Sequence, residues 1–265
     1  MIRLEAAQAT DRGRRREKNE DSMLAEGRLF AVADGLGGHQ GGEVASALAV
    51  EILAAEVQTA IEARAADRRR HRFARRPHHS QAPTVEELVD AVDRANEEIL
   101  ANSTSSDELT GMGTTLCALA VVEHEHREAL AVVNVGDSRV YRCDESGFHQ
   151  LTEDHTVVQE MVKAGILTRE EAGVHSYRHR LSRALGIESK VVVDDWTLEA
   201  VSGHRYLLCS DGLTNEVADR EIHAVLLQFE SPDEATAALV NLALEHGGSD
   251  NVTVVVVDVA DVALP

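Results

Sequence analysis

The sequence predicts an α+β fold, sheets covered by helices in one domain, on three observations. Short apolar runs bounded by Gly and Asp follow one another with turns between them, the habit of antiparallel strands. Segments of helical period come in pairs rather than singly between strands. The regular β-α-β-α alternation of a doubly wound sheet is missing, and there is no fixed-period repeat.

Residues 2–10 and 22–34 read as strands, joined by a turn-rich polar stretch over 11–21. From Gly41 the period changes. Val44, Leu48, Ile52 and Ala55 recur at helical spacing and predict a helix over 42–66. A second helix starts at the capping box Thr84-x-x-Glu87, with Leu88, Val92, Ala95 and Ile99 as its apolar stripe. Two such helices can cover one face of a sheet. Strand patterns return over 115–122, 129–135 and 139–142, and a helix over 156–164. Residues 170–183 are charged, His-rich and weakly periodic, the pattern of an exposed, mobile segment. Strands over 205–209 and 252–258 and helices over 220–229 and 232–246 complete the chain.

At 265 residues, roughly 70–75% of the unfolded surface can be buried, enough for a substantial core without disulfides. The net charge of −20 argues against nucleic acid or an anionic membrane as partner, since both need a basic surface. It suits a cation-binding protein or one acting on basic segments of other proteins, and equally plain solubility. Cys117, Cys143 and Cys209 are far apart and read as buried, reduced residues, a cytosolic pattern. The start carries no apolar signal region, and no stretch reaches ~18 consecutive apolar residues, so the expectation is a cytoplasmic chain with no membrane span. Residues 64–76 hold seven arginines; without that window the chain carries 19 basic against 45 acidic residues. The basic insertion, 64–83, reads as a solvated interhelical loop, with docking of an acidic partner as the alternative.

The chemistry lies in four aspartates at strand edges. Asp34-Gly35, Gly136-Asp137-Ser138, Ser210-Asp211-Gly212 and Asp250-Asn251 each flank an apolar run. Carboxylates on rigid strand ends, drawn from distant parts of one chain, are what an oxygen-ligated Mg²⁺ or Mn²⁺ site requires. Glycine beside Asp34 lets the backbone approach closely and frees its carbonyl as a further ligand. Taken singly, Asp-Gly and Asp-Asn are common turns. Near the N-terminus Arg16 precedes Glu20-Asp21; its planar fork suits phosphate oxygens, while the acidic pair can hold water around an ion.

The ordered set Arg16…Asn19-Glu20-Asp21, Asp34-Gly35-Leu36-Gly37-Gly38-His39, Gly113-Thr114-Thr115, Gly136-Asp137-Ser138-Arg139, Asp211-Gly212 and Asp250-Asn251 resembles the metal-dependent type 2C protein serine/threonine phosphatases (PPM family). Leu151-Thr-Glu-Asp-His155 and Ser182-Arg183-Ala-Leu-Gly186 are similar to its bacterial branch. The resemblance implies a four-layer α-β-β-α sandwich of two antiparallel sheets flanked by helix pairs. It implies that Asp34 bridges two Mn²⁺ or Mg²⁺ ions with the Gly35 carbonyl on one, that Asp211 and Asp250 hold the other, and that Asp137 with Asp211 binds a third, weaker ion. Arg16 would bind phosphate, with Glu20 and Asp21 in an outer shell. Paired cations lower the pKa of a shared water for in-line attack on phosphorus. The implied activity is hydrolysis of phosphoserine and phosphothreonine in proteins by a stand-alone, monomeric, cytoplasmic domain opposing bacterial Ser/Thr kinases.

Two departures stand out. Many eukaryotic members carry a histidine directly after the Asp-Gly pair as proposed general acid; here Leu36 takes that place and His39 is the nearest substitute. The segment over about 165–185, a flap beside the active site in the family, is unusually His-rich at His175-Ser-Tyr-Arg-His179.

Overall fold

The structure, a computed structural model, describes residues 1–37, 41–70, 81–104 and 107–262. In chain order its strands are β1 (Ile2–Asp11), β2 (Asp21–Glu26), β3 (Leu29–Leu36), β4 (Gly113–Thr114), β5 (Leu116–His124), β6 (Arg127–Val135), β7 (Arg139–Asp144), β8 (Gly147–Gln150), β9 (Asp194–Leu198), β10 (Arg205–Cys209) and β11 (Val252–Val262). Its helices are α1 (Gly41–Arg70), α2 (Val85–Ser103), α3 (Val157–Lys163), α4 (Arg169–Gly173), α5 (Asp211–Thr214), α6 (Asp219–Gln228) and α7 (Pro232–His246).

One sheet runs β1-β11-β10-β7-β8, the other β2-β3-β5-β6-β9 with β4 paired to β3. Every pairing is antiparallel. Three apolar clusters define the layering, and strand alternation decides which residue joins which. In β5, Leu116, Ala118, Ala120 and Val122 pack with Leu53, Leu88 and Ile99 of α1 and α2. Between them Cys117, Leu119 and Val121 face the opposite sheet, meeting Leu208, Val255 and Val257. In β11 the other parity, Val252, Val254 and Val256, packs on Ile222, Leu226 and Leu239 of α6 and α7. The order is therefore helix pair, sheet, sheet, helix pair. Central strands buried on both faces explain the unbroken apolar runs. Each large side chain removed from water contributes about 1.5–3 kcal/mol.

The single strand expected over 22–34 is a hairpin. β2 and β3 turn at Gly27, whose φ of +57° suits a residue without Cβ. β8 and β9 escaped sequence reading because they are short edge strands; no residue of either is fully buried, so neither shows an apolar run. α4, opened by the capping box of Thr168 and Glu171, lies inside the segment expected to be irregular.

Within α1, Gly41–Ala66 is long and apolar enough, by length and composition alone, to cross a membrane, although Glu43, Glu51 and Glu56 break it into shorter apolar runs. Ala45, Ala49, Leu53 and Val57 put one face of it into the core against β3 and β5. Arg64, expected at the start of a solvated loop, is instead in α1. Its guanidinium reaches Glu87 at 3.2 Å and Glu123 at 3.0 Å, fastening α1 to α2 and β5. Residues 71–80 of the basic insertion lie outside the described residues, as does His39.

Candidate metal centre

Antiparallel pairing brings distant acids to one edge. Cys209 at the end of β10 stands between Arg139, which begins β7, and Val254 near the start of β11. Asp137 and Asp250 occupy the bends just beyond those ends, and Asp211 opens α5. In the other sheet Asp21 at the start of β2 pairs in register with Asp34 near the end of β3. The sheets are cross-linked here. The Ser210 hydroxyl donates to Asp21 Oδ2 at 2.8 Å, and the Glu20 N–H donates to Asn251 Oδ1 at 2.8 Å. Thr115 Oγ1 and Ser138 Oγ lie 2.7 Å apart, and the Asp34 N–H donates to Thr115 Oγ1.

Electrostatics shows how closely the acids converge. Burial first, then the charges of Asp21, Asp211, Asp137 and Asp250, raises the Asp34 carboxyl well above the usual carboxylate range. Burial, with Asp211 and Asp250 adding, pushes Asp21 up to about 7 despite the Ser210 hydrogen bond. Burial and the Asp211 charge push Asp137 up to about 8, opposed by Arg139. Asp211 is raised by burial and by Asp250, and Glu20 by burial against the pull of Arg16 and Lys18. Buried like charges are costly unless a counter-charge offsets them. Besides Arg139 and Lys18, the protein's own counter-charge is Arg16, half-exposed, which donates to Asp250 Oδ2 at 2.5 Å.

The donor set fits hard divalent cations: aspartate oxygens with a backbone carbonyl beside them, and no imidazole or thiolate among them. Among the described residues no three His, Cys, Asp or Glu side chains form a ready-made cage for one ion. Backbone oxygen and water would therefore complete the coordination, as they commonly do for Mg²⁺. Gly35 meets a strict steric demand. A Cβ there would lie 2.2 Å from the Gly42 carbonyl oxygen and 2.5 Å from that of Glu20.

Leu36 ends β3, paired with Gly113, and has no proton to give. A cavity of about 690 Å³ opens beside the acids, bounded by Asp137, Asp211, Arg139, Asp154, Arg178 and His179. It joins the site to the 165–185 segment. The Arg139 guanidinium grips Asp154 through two bonds of 2.8 and 2.6 Å, so one wall of the cavity is fixed by a bidentate pair. His179 is exposed at the edge of this cavity. His175 instead turns back to accept the Tyr177 N–H at 3.1 Å.

Sequence reading assigned no role to Ser210, Asn251 or His155. All three are buried polar residues with several hydrogen-bond partners. Asn251 and His155 entered the sequence reading only as members of quoted motifs, and Ser210 only as the neighbour of Asp211; a polar side chain at such a place is too common to reveal its partners.

The protein phosphatase 2C family model matches residues 11–243, and the chain belongs to that family. The serine/threonine phosphatase stp of Listeria monocytogenes serotype 4b is 36% identical over 257 residues, covering 94% of this chain and 93% of the relative. The Mycobacterium tuberculosis serine/threonine phosphatase PstP/Ppp superposes with a TM-score of 0.82 at 38% identity, covering 98% of this chain and all of the other. The catalytic domain of the serine/threonine protein phosphatase PstP in complex with two manganese ions superposes with a TM-score of 0.80 at 39% identity, covering 97% and 99% of the two chains. The two-sheet, helix-flanked α+β architecture is the one these bacterial relatives share.

Proposed function

We propose that this chain is a Mn²⁺- or Mg²⁺-dependent protein serine/threonine phosphatase, hydrolysing phosphoserine and phosphothreonine in proteins. The observation that carries the reading is the convergence of Asp21, Asp34, Asp137, Asp211 and Asp250, from five separate segments, into one half-buried cluster beside Arg16. Family membership and the manganese-bound relative support the metal requirement.

Asp34, the Gly35 carbonyl, Asp211 and Asp250 would hold two ions, and Asp137 with Asp211 a third, weaker one. Ions held there supply an activated water for in-line attack on phosphorus and neutralise phosphoryl charge. The chain's own groups do the rest. Arg16 offers its fork to the phosphoryl oxygens, kept at the cleft by Asp250 until substrate arrives. The Asp21 carboxylate accepts from Ser210 and the Glu20 main chain is tied to Asn251, and both side chains would serve as an outer shell to the ions. Leu36 leaves protonation of the departing serine or threonine oxygen to water.

The whole chain acts in this reading as one catalytic domain, with 165–185 as a flap over the substrate cleft and 64–83 as a basic insertion between helices. Every site residue comes from one chain, so a monomer suffices. The proposed partners are phosphorylated proteins, bacterial Ser/Thr kinases and their substrates among them. The net charge of −20 argues against nucleic acid or an anionic membrane as the main partner. The three cysteines are buried and free, in keeping with a cytoplasmic location. Asp211→Asn should abolish turnover of a phosphothreonine peptide with Mn²⁺; wild-type activity in that variant would sink the assignment.

A further inference from the structure

His155 is completely buried, yet nothing in the proposed reaction uses it. Its ring accepts the Gly136 N–H on Nδ1 at 3.0 Å. That leaves the proton on Nε2, which faces Asp194 Oδ2 at 3.1 Å and donates to it. Burial, its largest influence, lowers the ring's pKa and favours this neutral form. The main chain repeats the contact, for the His155 N–H donates to the Gly136 carbonyl at 2.9 Å. Gly136 has φ +108° and a Cβ there would strike Thr115, so the turn that carries Asp137 is tightly prescribed and needs a fixed support.

The other oxygen of Asp194 accepts from Arg183 at 2.6 Å, and the same Arg183 nitrogen reaches the Val192 carbonyl at 2.8 Å. Arg183 stands at the end of the 165–185 segment. Two backbone bonds reinforce the link: Ser182 N–H to the His155 carbonyl at 2.9 Å, and Val157 N–H to the Arg180 carbonyl at 2.8 Å. A continuous chain of hydrogen bonds therefore runs from the flap's end through Arg183, Asp194 and His155 to the turn beside Asp137.

We infer that His155 is a positioning residue: its ring sets the Gly136–Asp137 turn and joins that turn to the end of the flap segment through Asp194 and Arg183. The consequence for binding rests on the proposed role of Asp137 as ligand to the weaker ion. A displaced turn would loosen that ion and leave the other two unaffected.

Two substitutions separate the ring's two contacts. The side-chain oxygen of His155→Asn occupies the place of Nδ1 and keeps an acceptor for Gly136. His155→Gln reaches to the place of Nε2, keeps the donor to Asp194 and leaves the Gly136 N–H without its acceptor. Hydrogen exchange is measured on the full-length chain with and without Mn²⁺. In His155→Gln, exchange over residues 134–139 should quicken about tenfold, the effect of one lost buried hydrogen bond; in His155→Asn it should quicken about threefold or less. Asp194→Asn, which weakens both the His155 and Arg183 contacts, should quicken exchange over 134–139 and 180–185 together. Equal effects of the Asn and Gln variants, or unchanged exchange over 134–139 in both, would overturn the inference, because a ring serving only to fill space predicts no such order. Mn²⁺ titration followed by electron paramagnetic resonance reads the second consequence: His155→Gln should weaken only the weakest binding class, about fivefold. Asp137→Asn is the control. If it leaves every binding class unchanged, the ligand role of Asp137 fails, while the exchange order still decides for or against His155.

Discussion

Asn251→Ala should damage this protein out of proportion to its size, because one amide staples the 12–20 loop beside the site at three points. Its Nδ2 donates to the Arg12 and Lys18 carbonyls, both at 2.8 Å, and its Oδ1 accepts the Glu20 N–H at 2.8 Å. The loop between those three anchors carries Arg16, whose guanidinium sits on Asp250, the neighbour of Asn251. Asn251 is 5% exposed, so water replaces these bonds poorly. A typical bond contributes a net ~1 kcal/mol, and a stranded buried group costs about 1–3 kcal/mol. The loop partners Arg12 and Lys18 are themselves exposed, so partial rehydration on their side brings the expected loss to about 2–4 kcal/mol. That corresponds to a fall in Tm of roughly 4–8 °C for a chain of this size. Circular dichroism melts of wild type and variant in the same buffer would read it. A slack loop also misplaces the Arg16 fork, so kcat/KM on a phosphothreonine peptide should fall about tenfold or more. Asn251→Asp matches the shape but turns both donors into acceptors facing carbonyls, and should be at least as harmful as alanine. A Tm within ~1 °C of wild type for both variants would refute the staple.

Gly212→Ala is expected to cost about 1–3 kcal/mol and most of the activity, since its Cβ would lie 1.9 Å from the Asn251 carbonyl oxygen and would push Asp211 and Asp250 apart; urea midpoints and turnover read both. Stability should also carry a pH signature from His155. The folded-state pKa lies below the ordinary value of 6.5, so the unfolded chain binds the proton first. This contribution is fully present above pH 6.5 and is lost as pH falls through the folded-state value, against a ring faced by Asp194, Arg183 and Lys163. Comparing the acid limb of Tm against pH for wild type and His155→Asn tests it, and superimposable limbs would count against it. Adding Mn²⁺ should raise Tm, because a bound cation offsets the mutual repulsion of Asp21, Asp34, Asp137 and Asp211; a chelator should reverse the rise and stop turnover. Identical melts with and without Mn²⁺ would contradict the metal centre.

What the sequence determined by itself was local in origin. The apolar strand runs, the capping box at Thr84 and the apolar stripe of α2 are written in short windows, and the structure reproduces them. The aspartates were visible because a carboxylate between an apolar run and a turn residue is conspicuous, and their order along the chain carried the resemblance to the phosphatases. Edge strands β8 and β9 were not visible, since a half-exposed strand needs no apolar run. Only tertiary structure decided how the acids share one site. Asp21 and Asp34 face each other by register, while Asp137, Asp211 and Asp250 join them because two sheets stack with the same ends together. Tertiary structure likewise gave Asn251 and His155 their partners, more than two hundred residues away for Arg12 and about forty for Asp194. A hydrogen bond between segments so far apart leaves no periodic trace in the sequence, because nothing in either local window depends on the other until the sheets have packed.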